Sequence, residues 1–363
     1  MTPTLKFILT TLPKQPNNYT TVVAKYAMDL ESKGLPIIFT TEHLGLLLGS
    51  HPGKFREFID NVHLNYSSFP IRKKSGGNRW VMAPNEDLKF IQQWIKHHIL
   101  EKIEVHPSAN GFVKSKGLLS NATPHIDKEL ILNIDLYRFF DTISSKRVYG
   151  IFKNLGYHTN LSYDLAKLLC ATAPKPYWKE IIKEYKFRKK YIRQRLPILS
   201  QGSPASPIIS NIVCRMLDLR LSKLCDSMQC HYTRYADDIT ISGDRQKIPS
   251  LLTIKKIIRQ EGFYINKDKI KHVPNNKRQT VTGVVVNKKT RVAKQLIKQV
   301  NQHLYYCQKY GPQNHLEHLQ SKGDFPKSNY KQWLLGKISF INSIESSTAK
   351  KLFERFNRIE WEL

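Results

Sequence analysis

The spacing of apolar positions changes several times along the chain, and each change predicts an element. Residues 20–65 carry short helical patterns, with Thr41 as an N-cap ahead of 42–48 and Gly49 as a stop. Residues 69–82 read as a hairpin whose tip is Lys73-Lys74-Ser75-Gly76-Gly77-Asn78-Arg79. Asn85 then caps a helix with Glu86 and Asp87 in its first turn and Leu88, Ile91, Ile95 and Ile99 as its stripe. Residues 129–136 (ELILNIDL) form a strongly apolar strand that ends in Asp135, and the next helix carries Val148, Ile151, Phe152 and Leu155. After residues 202–207 one helix is expected through Val213, Met216, Leu217 and Leu221. Residues 231–242 (HYTRYADDITIS) predict a hairpin turning at Tyr235-Ala236-Asp237-Asp238. A helix near 250–260 and a strand pair near 280–287 follow. The last seventy or so residues are helical, with Leu296, Val300 and Leu304 on one face and Trp333, Leu334, Ile338 and Ile341 on another. No repeat or low-complexity linker interrupts this order, which predicts a mixed α/β (α+β) body and an all-helical tail.

Charge narrows the partners. The 363 residues hold 58 Lys and Arg against 29 Asp and Glu, a formal net charge of +29 spread along the chain. Such repulsion opposes compaction unless a polyanion neutralises it, so nucleic acid is the leading partner and an anionic membrane surface the lesser one. Hydrophobic residues make up 40%, enough for real cores and too many for a disordered basic tail. There is no run of about 18 apolar residues and no signal-peptide core, so a cytoplasmic protein without a membrane partner is expected. Cysteines stand at 170, 214, 225, 230 and 307, an odd number without CxxC spacing. This argues against a disulfide framework or zinc ribbon. Cys225 and Cys230, beside His231, read as two buried thiols near a strand rather than as metal ligands. Residues 171–196 are strongly basic and interleaved with Tyr177, Trp178, Tyr185, Phe187 and Tyr191, which fits a solvated basic helix or a nucleic-acid contact equally well.

Candidate chemistry centres on Asp237 and Asp238. Adjacent acids on a buried hairpin repel and are desolvated together. Most Asp-Asp pairs are simply solvated turns. They become useful where divalent cations sit between them and a polyphosphate, as nucleotidyl transfer requires. Asp135, ending its apolar strand, supplies a third carboxylate, with a helix cap as its bland alternative.

The strings ILNIDLYRFFDTIS, QGSPASPIISN, TRYADD and EGFYINKDKIK occur in that order and resemble the successive palm motifs of reverse transcriptases; RKKSGGNRW precedes them as the fingers hairpin. Asn121-Ala122-Thr123-Pro124-His125 is similar to the NAxxH signature of retron reverse transcriptases, and Val281-Thr282-Gly283 to their VTG signature. The resemblance covers roughly residues 36–345. It implies a right-hand polymerase: an N-terminal helical region over 1–68, fingers over 69–127 with parts of 145–200, a palm (antiparallel sheet with helices) over 128–287 and a helical thumb over 288–363. The basic insertion 171–196 departs from the family in length, and RNA, an effector or a neighbouring copy are its candidate partners.

The resemblance also implies roles. Asp135 and Asp237 ligate two divalent ions, Mg2+ with Mn2+ as an alternative; Asp238 completes the set, and the backbone carbonyl of Leu136 is a further ligand. Lys269 is a candidate general acid for pyrophosphate, with Lys267 and Lys271 equally charged neighbours. Phe140 occupies the steric-gate position that favours deoxynucleotides, while core packing is the alternative for it and for Phe139. Lys73 or Lys74, with Arg79, grips the triphosphate. Gln201 contacts the templating pair, and Gly202 permits close approach of nucleic acid. Tyr235 packs under the primer terminus. Asn121 and His125, in a loop before the catalytic strand, bind RNA or brace the palm; Thr282 and Gly283 belong to the same RNA-recognition set, although Gly283 could equally serve a tight strand approach.

The expected activity is RNA-templated DNA synthesis on a cognate non-coding RNA. It starts from a guanosine 2′-OH and yields branched RNA–DNA (msDNA) within antiphage defence. The partners implied are that RNA and its DNA product, a separate effector protein with which an oligomer could form, and a separate RNase H-type nuclease. Two rivals are an intron-type or abortive-infection reverse transcriptase, which NAxxH and VTG disfavour, and a non-catalytic RNA-binding scaffold, which the intact carboxylate set disfavours.

Overall fold

The computed structural model describes residues 17–73, 76–184, 196–321 and 329–361. Ten strands occur among them: β1 Tyr66–Arg72, β2 Asn78–Pro84, β3 Leu130–Asp135, β4 Cys170–Ala171, β5 Ile198–Leu199, β6 His231–Tyr235, β7 Asp238–Gly243, β8 Lys271–Pro274, β9 Thr280–Val281 and β10 Val284–Val285. The chain forms two compact units. The first comprises Met1–His106, Tyr137–Leu219 and Ile257–Tyr264, and the second Pro107–Leu136, Arg220–Lys256 and Ile265–Leu363.

In the first unit, β1 and β2 pair antiparallel from Tyr66↔Pro84 to Arg72↔Asn78, so the hairpin is longer than its hydrophobic alternation predicts. Glu180 ties β2 down: its carboxylate accepts from Asn78 N at 3.2 Å and from Trp80 Nε1 at 2.9 Å. Glu180 lies on the helix Lys175–Glu184, whose Tyr177, Trp178 and Ile181 pack into a core with Met82, Ala171, Ala173 and Ile198. These two aromatic side chains are therefore buried and not available for stacking on nucleic acid. Apolar burial, worth about 1.5–3 kcal/mol per large side chain, outweighs their polar neighbourhood in sequence. Tyr185, Phe187 and Tyr191 lie outside the described residues.

Two local expectations are corrected in this unit. The N-cap of the helix Thr41–Leu47 is Thr40, whose hydroxyl accepts from His43 N at 3.1 Å. Thr41 is instead buried and donates to Asp164 at 2.6 Å. The single helix expected after residue 207 begins as Ser206–Val213 and restarts as Arg215–Ser227, because ψ opens to −4° at Cys214. Asn85 caps as expected, accepting from Leu88 N at 3.0 Å, and Leu88, Ile91, Ile95 and Ile99 are buried.

The second unit is built on a four-stranded antiparallel sheet of order β6-β7-β3-β8. One face of its central strands is apolar, with Leu132, Ile134, Ile239 and Ile241 buried, and the other carries Ile131 together with the buried polar residues Asp135, Thr240 and Ser242. Ile131 packs with Ala122, Val281, Val284 and Val286, which brings the short helix Leu118–Ala122 and the β9–β10 hairpin against the sheet. The C-terminal helices Lys294–Tyr310, Pro312–Ser321, Tyr330–Asn342 and Ser346–Asn357 share a separate core that includes Val300, Leu304, Leu334, Ile338, Ile341 and Phe356. Cys225 and Cys230 are buried and His231 is exposed, which agrees with two inert thiols beside a strand.

Candidate active site

Strand register brings the three acids together. Asp135, the last residue of β3, pairs with Asp238, the first of β7, and Asp237 lies in the turn just before it. The Leu136 N–H donates to the Asp237 carbonyl at 2.9 Å, fastening the end of β3 to that turn. Asp135 is only 9% exposed. One carboxylate oxygen accepts from Lys269 Nζ at 2.7 Å and the other from Asn266 Nδ2 at 3.2 Å. The Asp135 carbonyl also accepts from Asn266 N at 2.9 Å. Asn266 was not anticipated, although it stands three residues before Lys269 in the same INKDK string.

Electrostatics reflect this crowding. The Asp238 side chain reaches solvent, yet the surrounding protein withdraws enough water to push its carboxyl up to about 6, helped by the charges of Asp237 and Asp135 and opposed by Lys269 and Lys271. Desolvation works against the Lys269 ammonium. Its bond to Asp135 and the field of all three acids outweigh this, so Lys269 is held above the ordinary lysine range. Among the described residues, no three His, Cys, Asp or Glu side chains converge closely enough to share one ion. Asp135 is engaged by Lys269 and Asn266. The donor set itself, hard carboxylate oxygens at one end of the two central strands and their turn, suits a divalent cation.

The two short signature strings meet each other. Asn121 ends up on the helix Leu118–Ala122 and His125 on the turn Thr123–His125, and both are fully buried rather than in an exposed loop. His125 shares hydrogen bonds with Ser242 Oγ at 2.6 Å on β7 and Thr233 Oγ1 at 2.8 Å on β6. Burial holds its imidazole neutral, with the pKa pushed down to about 3. Asn121 donates to Thr282 Oγ1 at 3.3 Å. Of the two roles expected for Asn121 and His125, contact with RNA or bracing, their complete burial and hydrogen bonds to β6, β7 and Thr282 favour bracing. Thr282 and Gly283 are the two-residue loop of the β9–β10 hairpin, with φ of 45° and 87°. Positive φ at both positions is what a type I′ hairpin loop demands. Gly283 serves backbone conformation rather than tight packing, since a Cβ there would meet its nearest neighbour, Phe340, at an ordinary 3.8 Å.

A family model described as reverse transcriptase (RNA-dependent DNA polymerase) matches residues 71–306. The chain belongs to the reverse transcriptase family. It is similar to the retron Ec86 reverse transcriptase of Escherichia coli, 29% identical over 338 residues, which span 91% of this chain and 92% of that protein. The retron Mx162 enzyme of Myxococcus xanthus is 28% identical over 353 residues, 91% of this chain and 69% of that one. The retron Mx65 enzyme of the same organism is 32% identical over 264 residues, 70% of this chain and 60% of that one. These relatives make it a reverse transcriptase of retron type, an RNA-directed DNA polymerase, and the described residues mix helix and sheet as expected. Enzymes of this family use a divalent metal. Among the described residues, no helix is long and apolar enough to cross a membrane.

The reverse transcriptase's remaining predicted residues lie mostly in the first unit. Phe140 is half-buried in the turn Phe140–Thr142. Phe139 is buried, its ring centroid 5.5 Å from that of Phe263, so packing claims Phe139 and leaves Phe140 accessible. Gln201 donates to Asp141 at 3.0 Å, and Asp141 also pairs with Arg138 at 3.3 Å. Gly202 meets its own protein: a Cβ there would lie 2.9 Å from the Met82 carbonyl, so the close approach foreseen toward nucleic acid is already used within the fold. Lys73 and Arg79 are exposed at the hairpin end, and Lys74 lies outside the described residues. In the second unit, Tyr235 is half-buried, its ring centroid 6.4 Å from that of Phe112.

Proposed function

We propose that this retron-type enzyme copies a cognate structured non-coding RNA into DNA from an internal guanosine 2′-OH, leaving a branched RNA–DNA product. The observation that carries the polymerase chemistry is Asp135, Asp237 and Asp238 at one end of the two central strands, with Lys269 bonded to Asp135. The support for the retron-specific product is the pair of signature strings together with the named relatives. Antiphage defence, a separate effector, a separate RNase H-type nuclease and a cytoplasmic setting belong to the same proposal.

In this reading Asp135, Asp237 and Asp238, with the Leu136 carbonyl, would hold two Mg2+ ions, or Mn2+. When bound, such ions acidify the attacking hydroxyl and neutralise the leaving pyrophosphate. The chain's own groups do the rest. The primer hydroxyl attacks the dNTP α-phosphate and the bond to pyrophosphate breaks. Lys269, held protonated, is placed to give its proton to that leaving group once it lets go of Asp135. Phe140 would exclude a ribose 2′-OH, Tyr235 would support the primer end, and Gln201 would meet the templating pair. Lys73, Lys74 and Arg79 would bind the triphosphate. Thr282 and Gly283 would shape the loop offered to RNA, with Asn121 and His125 behind it.

Purified protein with its adjacent non-coding RNA, Mg2+ and dNTPs is expected to make DNA linked through a 2′–5′ bond. Asp237→Asn is expected to abolish synthesis while RNA binding persists. Absence of DNA product, or full synthesis by Asp237→Asn, would falsify the proposal. A linear 3′-primed product would retain the polymerase and remove the retron chemistry.

A further inference from the structure

The turn that carries Asp237 and Asp238 has an unfavourable backbone. β6 and β7 are joined by the two residues Ala236 and Asp237, because Tyr235 pairs directly with Asp238. Ala236 has φ of 55°, a left-handed conformation that an L side chain resists and that glycine adopts freely. A hairpin loop with positive φ at its first position ordinarily places glycine there. Something in the surrounding fold must hold alanine in that conformation.

Two features of this chain do so. The first is Arg234, whose side chain is fully buried in β6. Its Nη1 donates to the Ala236 carbonyl at 3.0 Å, closing a bond from the strand onto its own turn. The second is the segment Ser108-Ala109-Asn110-Gly111. It runs along β6: Arg234 N donates to Ser108 O at 2.9 Å, Asn110 N donates to Arg234 O at 2.8 Å, and Ala109 bridges Arg234 in parallel. Gly111 follows at the point where the turn begins. A Cβ on Gly111 would stand 2.7 Å from Ala236 N and 3.2 Å from Tyr235 C. Those are backbone atoms, so they cannot swing aside as a side chain would. On the far side, the Leu136 N–H takes the Asp237 carbonyl. Both peptide carbonyls of the loop are therefore held, and Gly111 lies flat against its first N–H.

We propose that Arg234 and Gly111 are positioning residues: a backbone clamp that fixes the left-handed Ala236 and so aims the Asp237 and Asp238 carboxylates for the cations of nucleotidyl transfer. This rests on the reading of those two acids as catalytic, and neither clamp residue touches substrate. Ala236 supplies the control. Replacing it with glycine removes the need for a clamp, because glycine takes positive φ unaided.

The experiment uses full-length protein with and without its RNA. Mn2+ affinity is titrated by EPR on the protein alone, and single-turnover dNTP addition is measured on the complex, alongside RNA affinity, dNTP KM and the unfolding midpoint. Gly111→Ala and Arg234→Met are expected to weaken Mn2+ binding at least fivefold. They are expected to lower the single-turnover rate at least tenfold, with RNA affinity and dNTP KM within twofold of wild type. Arg234→Lys, which keeps a donor, is expected to lose less than Arg234→Met. Ala236→Gly in the Arg234→Met background is expected to recover most of the Mn2+ affinity, which a merely structural loss would not allow. Wild-type Mn2+ affinity in both Gly111→Ala and Arg234→Met overturns the clamp, and so does an Ala236→Gly background that restores nothing. If Arg234→Met does not fold, Ala236→Gly added to it decides: restored folding together with Mn2+ affinity supports the clamp, and continued failure to fold overturns it. If wild type binds Mn2+ but makes no DNA, the polymerase reading fails while the Mn2+ comparison still judges the clamp.

Discussion

His125 provides the sharpest test of how the signature strings work. Replacing it with leucine removes the imidazole that links Ser242 on β7 to Thr233 on β6. Ser242 Oγ has no other partner among the described residues, so its buried hydroxyl is left unpaired, at a cost of about 1–3 kcal/mol. Thr233 keeps a longer bond to the Asn121 carbonyl at 3.4 Å and loses about 0.5–1.5 kcal/mol. Together the loss is about 2–4 kcal/mol, or on the order of 3–5 °C in the unfolding midpoint of a chain this long. The pH dependence has a definite sign. The native imidazole titrates at about 3, so between there and the ordinary histidine value near 6.5 the unfolded chain binds a proton that the folded chain refuses. Wild-type stability therefore falls as pH drops below about 6.5, by about 2 kcal/mol at pH 5 from this group. His125→Leu lacks that term, so the gap between wild type and variant should narrow by about 2 kcal/mol between pH 7.5 and 5. Chemical denaturation at both pH values measures it. Tenfold weaker RNA binding with an unchanged unfolding midpoint would refute the bracing role and restore an RNA-facing histidine.

Three further outcomes follow from the same geometry. Phe139→Ala should destabilise the fold by about 3–5 kcal/mol, because it empties a packed site, whereas Phe140→Ala should leave stability nearly unchanged and raise ribonucleotide incorporation relative to dNTP in competition assays. Asp238 is protonated below about 6 and a protonated carboxyl is a poor cation ligand, so the Mg2+ concentration giving half-maximal synthesis should rise as pH falls from 7.5 to 5.5. Lys269→Gln should slow single-turnover addition by about 10²-fold or more if Lys269 delivers the proton, with dNTP KM little changed; a rate equal to wild type would remove it from the chemistry.

The strand ending in Asp135 and the hairpin turning at Asp237 were readable because their signals are local, needing only a period of two and a turn. The register Asp135↔Asp238 that joins them was visible only in the structure. What sequence could not convey was burial decided by distant partners. Tyr177 and Trp178 sit in a basic stretch, yet pack against Met82 and Ile198, both distant from them in the chain. His125 has the composition of a surface ligand and is enclosed by Ser242 and Thr233, more than a hundred residues later. Arg234 carries a charge that ordinarily marks the surface, and it is fully buried because its donors are used beneath the turn. Thr40 and Thr41 differ by one position, and only the geometry decides which hydroxyl caps.

The contact between Asn121 and Thr282 has a consequence for building hybrid enzymes. The strings around residues 118–126 and 280–286 are far apart in sequence but share one buried seam with Ile131. A chimera that imports either string alone from another retron enzyme mates two surfaces that were never fitted to each other. A hybrid should therefore keep its stability only when both halves of the seam travel together, and the useful crossover points lie outside the pair rather than between them.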